Sequence, residues 1–409
     1  MADHTASDPF NAVEEGRRHV LWARMNATGA VHRAVLPHGA PAWLITGYAE
    51  ARAALTDARL AKLGPSSGAF ARKLPEDVAR GIHSHLLYLD PPDHTRLRRL
   101  VTTAFTRRRV ERLEPYVRDL TARLLDRLGE EAEEGGVVDL VTRYAYPLPM
   151  GVIGTLLGVP EGRQADFHAW TAPLMSPEVV GYDAYVASAV PLLDLLRELI
   201  ARKRAHPADD LLSALVQARD GADRLSEDEL TSMAYLLVLA GHETTVNLIT
   251  NTVLALLTHP DRLTALRRAP EPSEAAERVV EEALRHDGSS QTTMPARTTA
   301  DVRIGGTTIP AGDLVFVSLL AANRDPARFS EPDRFDPDRG DRGHLAFGHG
   351  IHHCLGASLA RLEARVAVSG LVTRFPGLRL AVHRRALTRT PSVTMNALDS
   401  LPVLLRGPR

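Results

Sequence analysis

Cysteine is almost missing from this chain of 409 residues, and Cys354 is the only one. A lone cysteine excludes internal disulfides, cysteine-rich zinc modules and thioredoxin-type redox chemistry. Lysine is nearly as scarce: Lys62, Lys73 and Lys203 stand against 46 arginines. That skew fits a GC-rich coding sequence better than any chemistry. Net charge is missing too, because 49 basic and 50 acidic residues leave −1. The balance argues against binding driven by counterion release from nucleic acid, and against attraction to an anionic membrane surface. The start, Met1 to Pro9, is acidic and polar and lacks the apolar core of a signal peptide, so a cytoplasmic protein is expected. No Gly-x-Gly-x-x-Gly follows a predicted strand, so no flavin or nicotinamide module is expected.

What is present suits a large soluble core. Hydrophobic residues make up 44% and charged residues 24%, ordinary values for a globular protein. Tyr144 to Pro160 is uncharged, but its prolines and glycines make a poor membrane-spanning helix. Thr231 to Thr258 holds a single full charge, Glu243. Ser226-Glu227-Asp228-Glu229 forms a capping box ahead of it, with Leu225 and Leu230 placed as a hydrophobic staple. Asn247, Asn251 and several threonines argue against lipid, so this is expected to be a long central helix buried in the fold. Apolar periodicity predicts further helices over Pro92–Thr106, Arg109–Glu133, Tyr182–Ala205, Pro207–Ala218, Ser273–His286 and Ala357–Phe375. Strands are expected at Trp43–Ile45 and Leu314–Leu319, and a hairpin around Gly305-Gly306. With no repeat or long linker, the expectation is one mainly α domain over residues 1–409 with a small β region. Residues 1–8 are expected to be a flexible N-terminus.

The densest chemistry lies in Phe347-Gly348-His349-Gly350-Ile351-His352-His353-Cys354-Leu355-Gly356-Ala357. Three glycines let the backbone turn tightly around the cysteine. Nearby amides and the start of a helix would favour thiolate over thiol. Three readings compete. A single cysteine is most often a core residue. His349, His352, His353 and Cys354 are close enough in sequence to suggest zinc, although adjacent His352 and His353 cannot easily face one metal. A thiolate axial ligand to haem iron fits the glycines best.

Phe347, Gly350, Cys354 and Gly356 fill the pattern Phe-x-x-Gly-x-x-x-Cys-x-Gly, and there the chain resembles the cytochrome P-450 family. Three more of that family's motifs follow its order. Ala240-Gly241-His242-Glu243-Thr244 is similar to its oxygen-activation motif, Glu282-Ala283-Leu284-Arg285 to its Glu-x-x-Arg pair, and Pro337-Asp338-Arg339 to its meander motif. Asp90 to Leu100 resembles the helix that clasps the haem in bacterial members. The resemblance runs from about Trp43 to the C-terminus and is strongest to soluble bacterial members that tailor macrolides and other secondary metabolites.

The resemblance implies the P-450 fold, with the long central helix over haem b and Cys354 as axial ligand to the iron. It implies that His94, Arg98, Arg297 and His352 bind the haem propionates. Glu282, Arg285 and Arg339 would form a buried network serving folding and haem retention. Thr244 would hydrogen-bond the oxygen under activation, and Glu243 would feed it protons from solvent. Gly241 would let the helix open beside that oxygen. The implied enzyme is a monooxygenase acting on C–H bonds or alkenes. Because no reductase module is visible, its electrons would come from a ferredoxin and ferredoxin reductase. Arg99, Arg107, Arg108, Arg109 and Arg361 would form the docking face of a monomer.

Two rivals stand beside this reading, a peroxide-driven peroxygenase of the same fold and a non-catalytic haem sensor. The Glu243-Thr244 pair counts against both. Pocket walls are expected from Leu63 to Leu87, Phe167 to Tyr185, Leu236 to Ala240, Ser289 to Ala296 and Met395 to Leu398. The polar run Ser289 to Thr293 suggests a medium-to-large oxygenated natural product, such as a macrolide or other polyketide, a peptide or a terpenoid. Its side chains could instead bond to backbone and touch no ligand.

Overall fold

The structure is a computed structural model that describes residues 10–37, 39–64, 73–133, 136–174, 177–219, 224–270, 272–341 and 343–406. The expected flexible N-terminus, 1–8, lies outside the described residues, as do 65–72 and 175–176 of the expected pocket walls. Most of the chain is helical, and it divides into two units. Met1–Ala61, Val117–Leu148 and Thr244–Arg409 form the larger, and Lys62–Tyr116 and Pro149–Glu243 the smaller.

In the larger unit the strand Val31–Val35 pairs antiparallel with Pro41–Ile45, which runs parallel to Leu314–Val317. Ala296–Thr298 lies antiparallel to Leu314–Val317. Trp43, Ile45, Val315 and Val317 pack on one face with Val302, Ile304 and Ile309 of the hairpin. Leu44 and Phe316 point the other way and meet Phe10 and Trp22. Both faces are therefore covered, which is why Ala42 to Ile45 reads as a continuous buried run rather than an alternating one. The hairpin joins Val302–Ile304 to Thr307–Ile309, with Gly305 at φ 53° and Gly306 at φ 81°. Two consecutive positive φ values are what a tight two-residue hairpin turn needs.

The central helix spans Glu227–Thr258, starting where its capping box stands. The Ser226 amide donates to Glu229 Oε2 at 2.7 Å, and the Glu229 amide donates to Ser226 Oγ at 3.1 Å. Leu225 and Leu230 are both fully buried beside the cap. Along the helix Thr250, Thr252 and Thr258 return their hydroxyls to the carbonyls of Val246, Leu248 and Leu254. These three threonines thus satisfy their hydroxyls within the helix itself. Among the described residues no helix is long and apolar enough to cross a membrane.

Other expected helices appear with shifted ends: Asp93–Ala104, Arg107–Glu133, Pro177–Ala205, Leu211–Arg219, Pro272–Asp287 and Ala357–Arg374. The proline-rich stretch after Tyr144 also forms a helix, Pro147–Leu157. Pro147 and Pro149 fall in its first turn, where their missing amides cost nothing. In the smaller unit, Gly81 of Glu76–His83 packs against Leu193 of Pro177–Ala205. The Tyr185 and Tyr235 hydroxyls meet there at 3.2 Å.

A buried charge network ties the N-terminal segment of the larger unit to its C-terminal loops. Arg389 donates to Glu15 Oε2 at 2.8 Å and to Asp287 Oδ2 at 2.7 Å. Asn396 donates to Asp287 Oδ1 at 2.6 Å and accepts from Arg18 at 3.2 Å. Burial alone would raise both carboxyls, but Arg389 together with Arg384 at Glu15 and His19 at Asp287 outweighs it, so Asp287 sits well below the usual value and Glu15 below it. Replacing Arg389 by Met leaves two buried carboxylates without their main partner, and we expect a loss of about 3–5 kcal/mol in denaturant titration. Because both folded-state values are depressed, the network contributes fully above about pH 4.5 and fades as pH falls further. An Arg389→Met variant as stable as wild type at pH 7 would show that the network carries no net stability.

Candidate active site

Cys354 lies on the surface of the larger unit, in no disulfide, just ahead of helix Ala357–Arg374. The loop before it is folded by two glycines with left-handed backbone, Gly348 at φ 73° and Gly350 at φ 72°. A Cβ on Gly350 would come within 2.7 Å of the Leu55 carbonyl oxygen, so glycine is required there for close approach as well as for φ. A short 3₁₀ turn, Gly350–His352, follows, and the Cys354 amide donates to the Phe347 carbonyl at 2.9 Å. Cys354's own amide is therefore spent on the loop. The exposed thiol rules out the core-cysteine reading. Among the described residues no three His, Cys, Asp or Glu side chains are grouped to hold a metal ion, which removes the zinc reading. One exposed thiol on a rigid loop is the donor set that a single axial bond to haem iron requires.

Behind the loop stands a buried fork. Glu282 takes two hydrogen bonds of 2.8 Å from Arg285, its neighbour one turn on. Arg285 spends its remaining donors on the carbonyls of Asn323, Pro332 and Arg334. Glu282 also accepts from the Asp336 amide at 2.8 Å, and Arg339 Nε lies 3.5 Å from it. Arg339 then bonds the carbonyls of Ser330, Glu331 and Arg334. Asn323 passes the constraint forward, because its side-chain oxygen accepts the Leu345 amide at 2.6 Å. Thr244, Arg297 and His352 belong to this same unit. His352 is half-buried, and exposed Arg297 donates to the Gly312 carbonyl from strand Ala296–Thr298.

The smaller unit carries the other expected residues. His94 is buried on helix Asp93–Ala104, with half-buried Arg98 one turn beyond it on the same side. Burial, then Arg98, hold His94 below the ordinary imidazole value. Lys62, which sequence reasoning passed over, lies within electrostatic reach of His94, and its amide donates to Asp90 Oδ2 at 2.7 Å. Its rarity as one of three lysines was the only signal available.

Glu243 sits in the same unit, and its Oε2 is buried with no hydrogen-bond partner among the described residues. Desolvation pushes its pKa up to about 7. It can therefore hold or release a proton near neutrality, as a general acid–base group must. His242 beside it donates from Nδ1 to the Val238 carbonyl at 2.7 Å, and burial pushes it down to about 4. Gly241 has a tighter reason to be glycine than helix opening. A Cβ there would meet Ile153 Cδ1 at 2.6 Å, so its absence lets helix Pro147–Leu157 pack close.

Comparison with known proteins agrees with this geometry. The cytochrome P-450 family pattern matches residues 274–384, the stretch from the Glu282 helix through the cysteine loop. Cytochrome P-450 107B1 of Saccharopolyspora erythraea is 47% identical over 392 residues, 94% of each chain. The chain belongs to the cytochrome P-450 family. A second P-450 of that organism, 6-deoxyerythronolide B hydroxylase, is 43% identical, with 97% of this chain and 98% of the relative aligned. Among solved structures, the tirandamycin C-bound P-450 monooxygenase TamI matches with a TM-score of 0.84 and 43% identity, over 95% of this chain and 97% of that one. The chain is a P-450 monooxygenase with the P-450 fold, and the family's cofactor is haem-thiolate iron.

In the polar run Ser289 to Thr293, three side chains follow the alternative in which they bond to backbone. Gln291 donates to the Ser392 carbonyl, Thr292 to the Val393 carbonyl, and the Thr293 hydroxyl accepts from the Val317 amide. These groups satisfy backbone that would otherwise be buried unpaired. Of the arginines expected to form the docking face, Arg99, Arg107 and Arg108 are exposed, Arg107 also pairing with Glu111, while Arg361 is forked onto Glu281 and Arg109 donates to the Ala104 carbonyl. A cleft of about 580 Å³, lined by His19, His259, His286 and Arg324, contains none of the expected site residues.

Glu243 supplies a pH test. Since folding raises its pKa from 4.5 to about 7, the folded state is penalised progressively as pH climbs through that interval. Glu243→Gln removes the penalty. We expect the variant to gain about 2 kcal/mol over wild type at pH 8, after allowance for partial exposure, and close to nothing at pH 4.5. Denaturation midpoints at the two pH values read this directly. An equal difference at both would mean that Glu243 ionises like a surface carboxylate.

Proposed function

We propose that this chain binds haem b through Cys354 and inserts one oxygen atom from O₂ into a C–H bond of a medium-to-large natural product. His94, Arg98, Arg297 and His352 would hold the propionates. The observation that carries the reading is the exposed cysteine on a rigid glycine loop, braced from behind by the Glu282–Arg285 fork. The donor set suits the group. Arginine pairs well with carboxylates, and buried His94 can add a hydrogen bond. When bound, haem supplies the oxygen activation and the seat for the electrons.

The chain's own residues do the rest. Phe347 fixes the Cys354 amide and so the direction of the cysteine loop. Glu243, held near neutrality, keeps a proton at its carboxyl inside a buried helix and delivers it toward Thr244, the next residue. Thr244 contributes a hydroxyl that orients that proton. A buried acid so tuned favours proton delivery over direct use of peroxide, which would not need it. Electrons would come from a ferredoxin and its reductase, met by the exposed Arg107 and Arg108. The substrate class, a macrolide or other polyketide before a peptide or terpenoid, is supported by relatives named for 6-deoxyerythronolide B and tirandamycin C.

Reduced protein under carbon monoxide should show the long-wavelength Soret band of thiolate ligation, and Cys354→His should lose it. A histidine-type spectrum in wild type would overturn the axial assignment. With surrogate ferredoxin, reductase and NADPH, Thr244→Ala should keep haem content and near-normal NADPH use. Its product per electron should fall while hydrogen peroxide rises. Unchanged coupling across several polyketide substrates would remove Thr244 from the chemistry, and turnover equally fast with peroxide alone would favour a peroxygenase.

A further inference from the structure

Glu281, immediately before the fork-forming Glu282, faces a different partner. Its carboxylate accepts from Arg361 Nε at 2.5 Å and from Arg361 Nη2 at 3.1 Å. His344 adds a third contact from Nε2 at 3.2 Å. The His344 Nδ1 accepts from the Ala346 amide, so the proton is on Nε2 and the neutral ring suffices as donor. Glu281 and His344 side chains are 11% and 4% exposed, and Arg361 is 36% exposed. Burial would raise the Glu281 carboxyl, but the bonds from His344 and Arg361 outweigh it and bring its pKa down to about 2. Glu281 is therefore ionised at every working pH.

The fork aims Arg361 at the cysteine loop. Its guanidinium carbon stands 4.5 Å from the ring centroid of Phe347, within cation–π range. Phe347 is the residue whose carbonyl accepts the Cys354 amide. One buried carboxylate, one cation, one ring and the cysteine thus form a continuous series. An ordinary surface pair would be worth about 0–1 kcal/mol and would influence nothing beyond itself. This pair differs because its anion is buried and its cation lies flat on the loop.

We propose that Glu281 and Arg361 act as positioning residues that set the charge felt by the Cys354 thiolate, and with it the reduction potential of bound haem. The proposal rests on the haem-thiolate reading above. A nearby positive charge stabilises the reduced, more electron-rich state, and a negative one opposes it. In the intact pair the two oppose one another. The two single variants should therefore move the potential in opposite directions, which loss of packing would not do.

The experiment is a spectroelectrochemical titration of haem-loaded wild type, Arg361→Met, Glu281→Gln and the double variant, with haem content and melting temperature measured alongside. Arg361→Met leaves Glu281 uncompensated and should shift the potential negative. Glu281→Gln leaves Arg361 uncompensated and should shift it positive. The double variant should return close to wild type. Arg361→Lys keeps the charge and loses the fork, so its potential should move less than that of Arg361→Met. If Arg361→Met fails to load haem, the sign of the Glu281→Gln shift decides alone. Single variants that shift together, or not at all, would overturn the proposal while a thiolate-type carbon monoxide band in wild type leaves the haem-thiolate reading standing. Absence of that band would overturn both.

Discussion

The cysteine loop depends on an ion pair that lies outside it. Glu282 and Arg285 are almost wholly buried, and neither could remain charged there alone. Paired, they leave Arg285 with donors to spare, and those donors fix the carbonyls of Asn323, Pro332 and Arg334. Asn323 then holds the amide of Leu345, the point where the cysteine loop begins. Two charged side chains on one helical turn thus dictate the path of a segment some sixty residues downstream. The desolvation cost is accepted because the fork ties down loops that have no hydrogen-bond ladder of their own.

Glycine does the complementary work. Gly348 and Gly350 adopt left-handed backbone, and Gly350 sits against the Leu55 carbonyl where no side chain fits. The fork restrains the loop from one side and this close contact from another, so Cys354 is presented by a rigid support despite lying in irregular structure. A flexible loop would spend binding energy on being ordered, whereas this one is ordered already.

How far the amino-acid order reveals this structure varies with the physical scale. The central helix was legible down to its capping box, because Ser226 and Glu229 interact within one turn. The hairpin at Gly305-Gly306 was equally local. Helices such as Arg17–Thr28 and Pro147–Leu157 were not expected, since packing rather than periodicity defines them. At the candidate site, Cys354, Glu243, Glu282 and Arg285 were pointed to by the resemblance of their motifs to those of the family. Three things were not. The lowered pKa of His94 depends on burial beside Arg98, the commitment of Gln291 and Thr292 depends on backbone a hundred residues away, and Lys62 enters through tertiary folding. Each is a property of distance in space that sequence neighbours do not carry.

The contact between Gly241 and Ile153 also makes two distant positions share one allotment of volume. A methyl group added at 241 would press on the tip of Ile153, because a Cβ there would lie 2.6 Å from it, and the isoleucine would have to turn away or be shortened. The two sites should therefore covary among relatives, larger residues at one accompanying smaller at the other. For a designer reshaping this enzyme, a library that varies one position alone samples mostly collisions or cavities, and paired variation is the productive search.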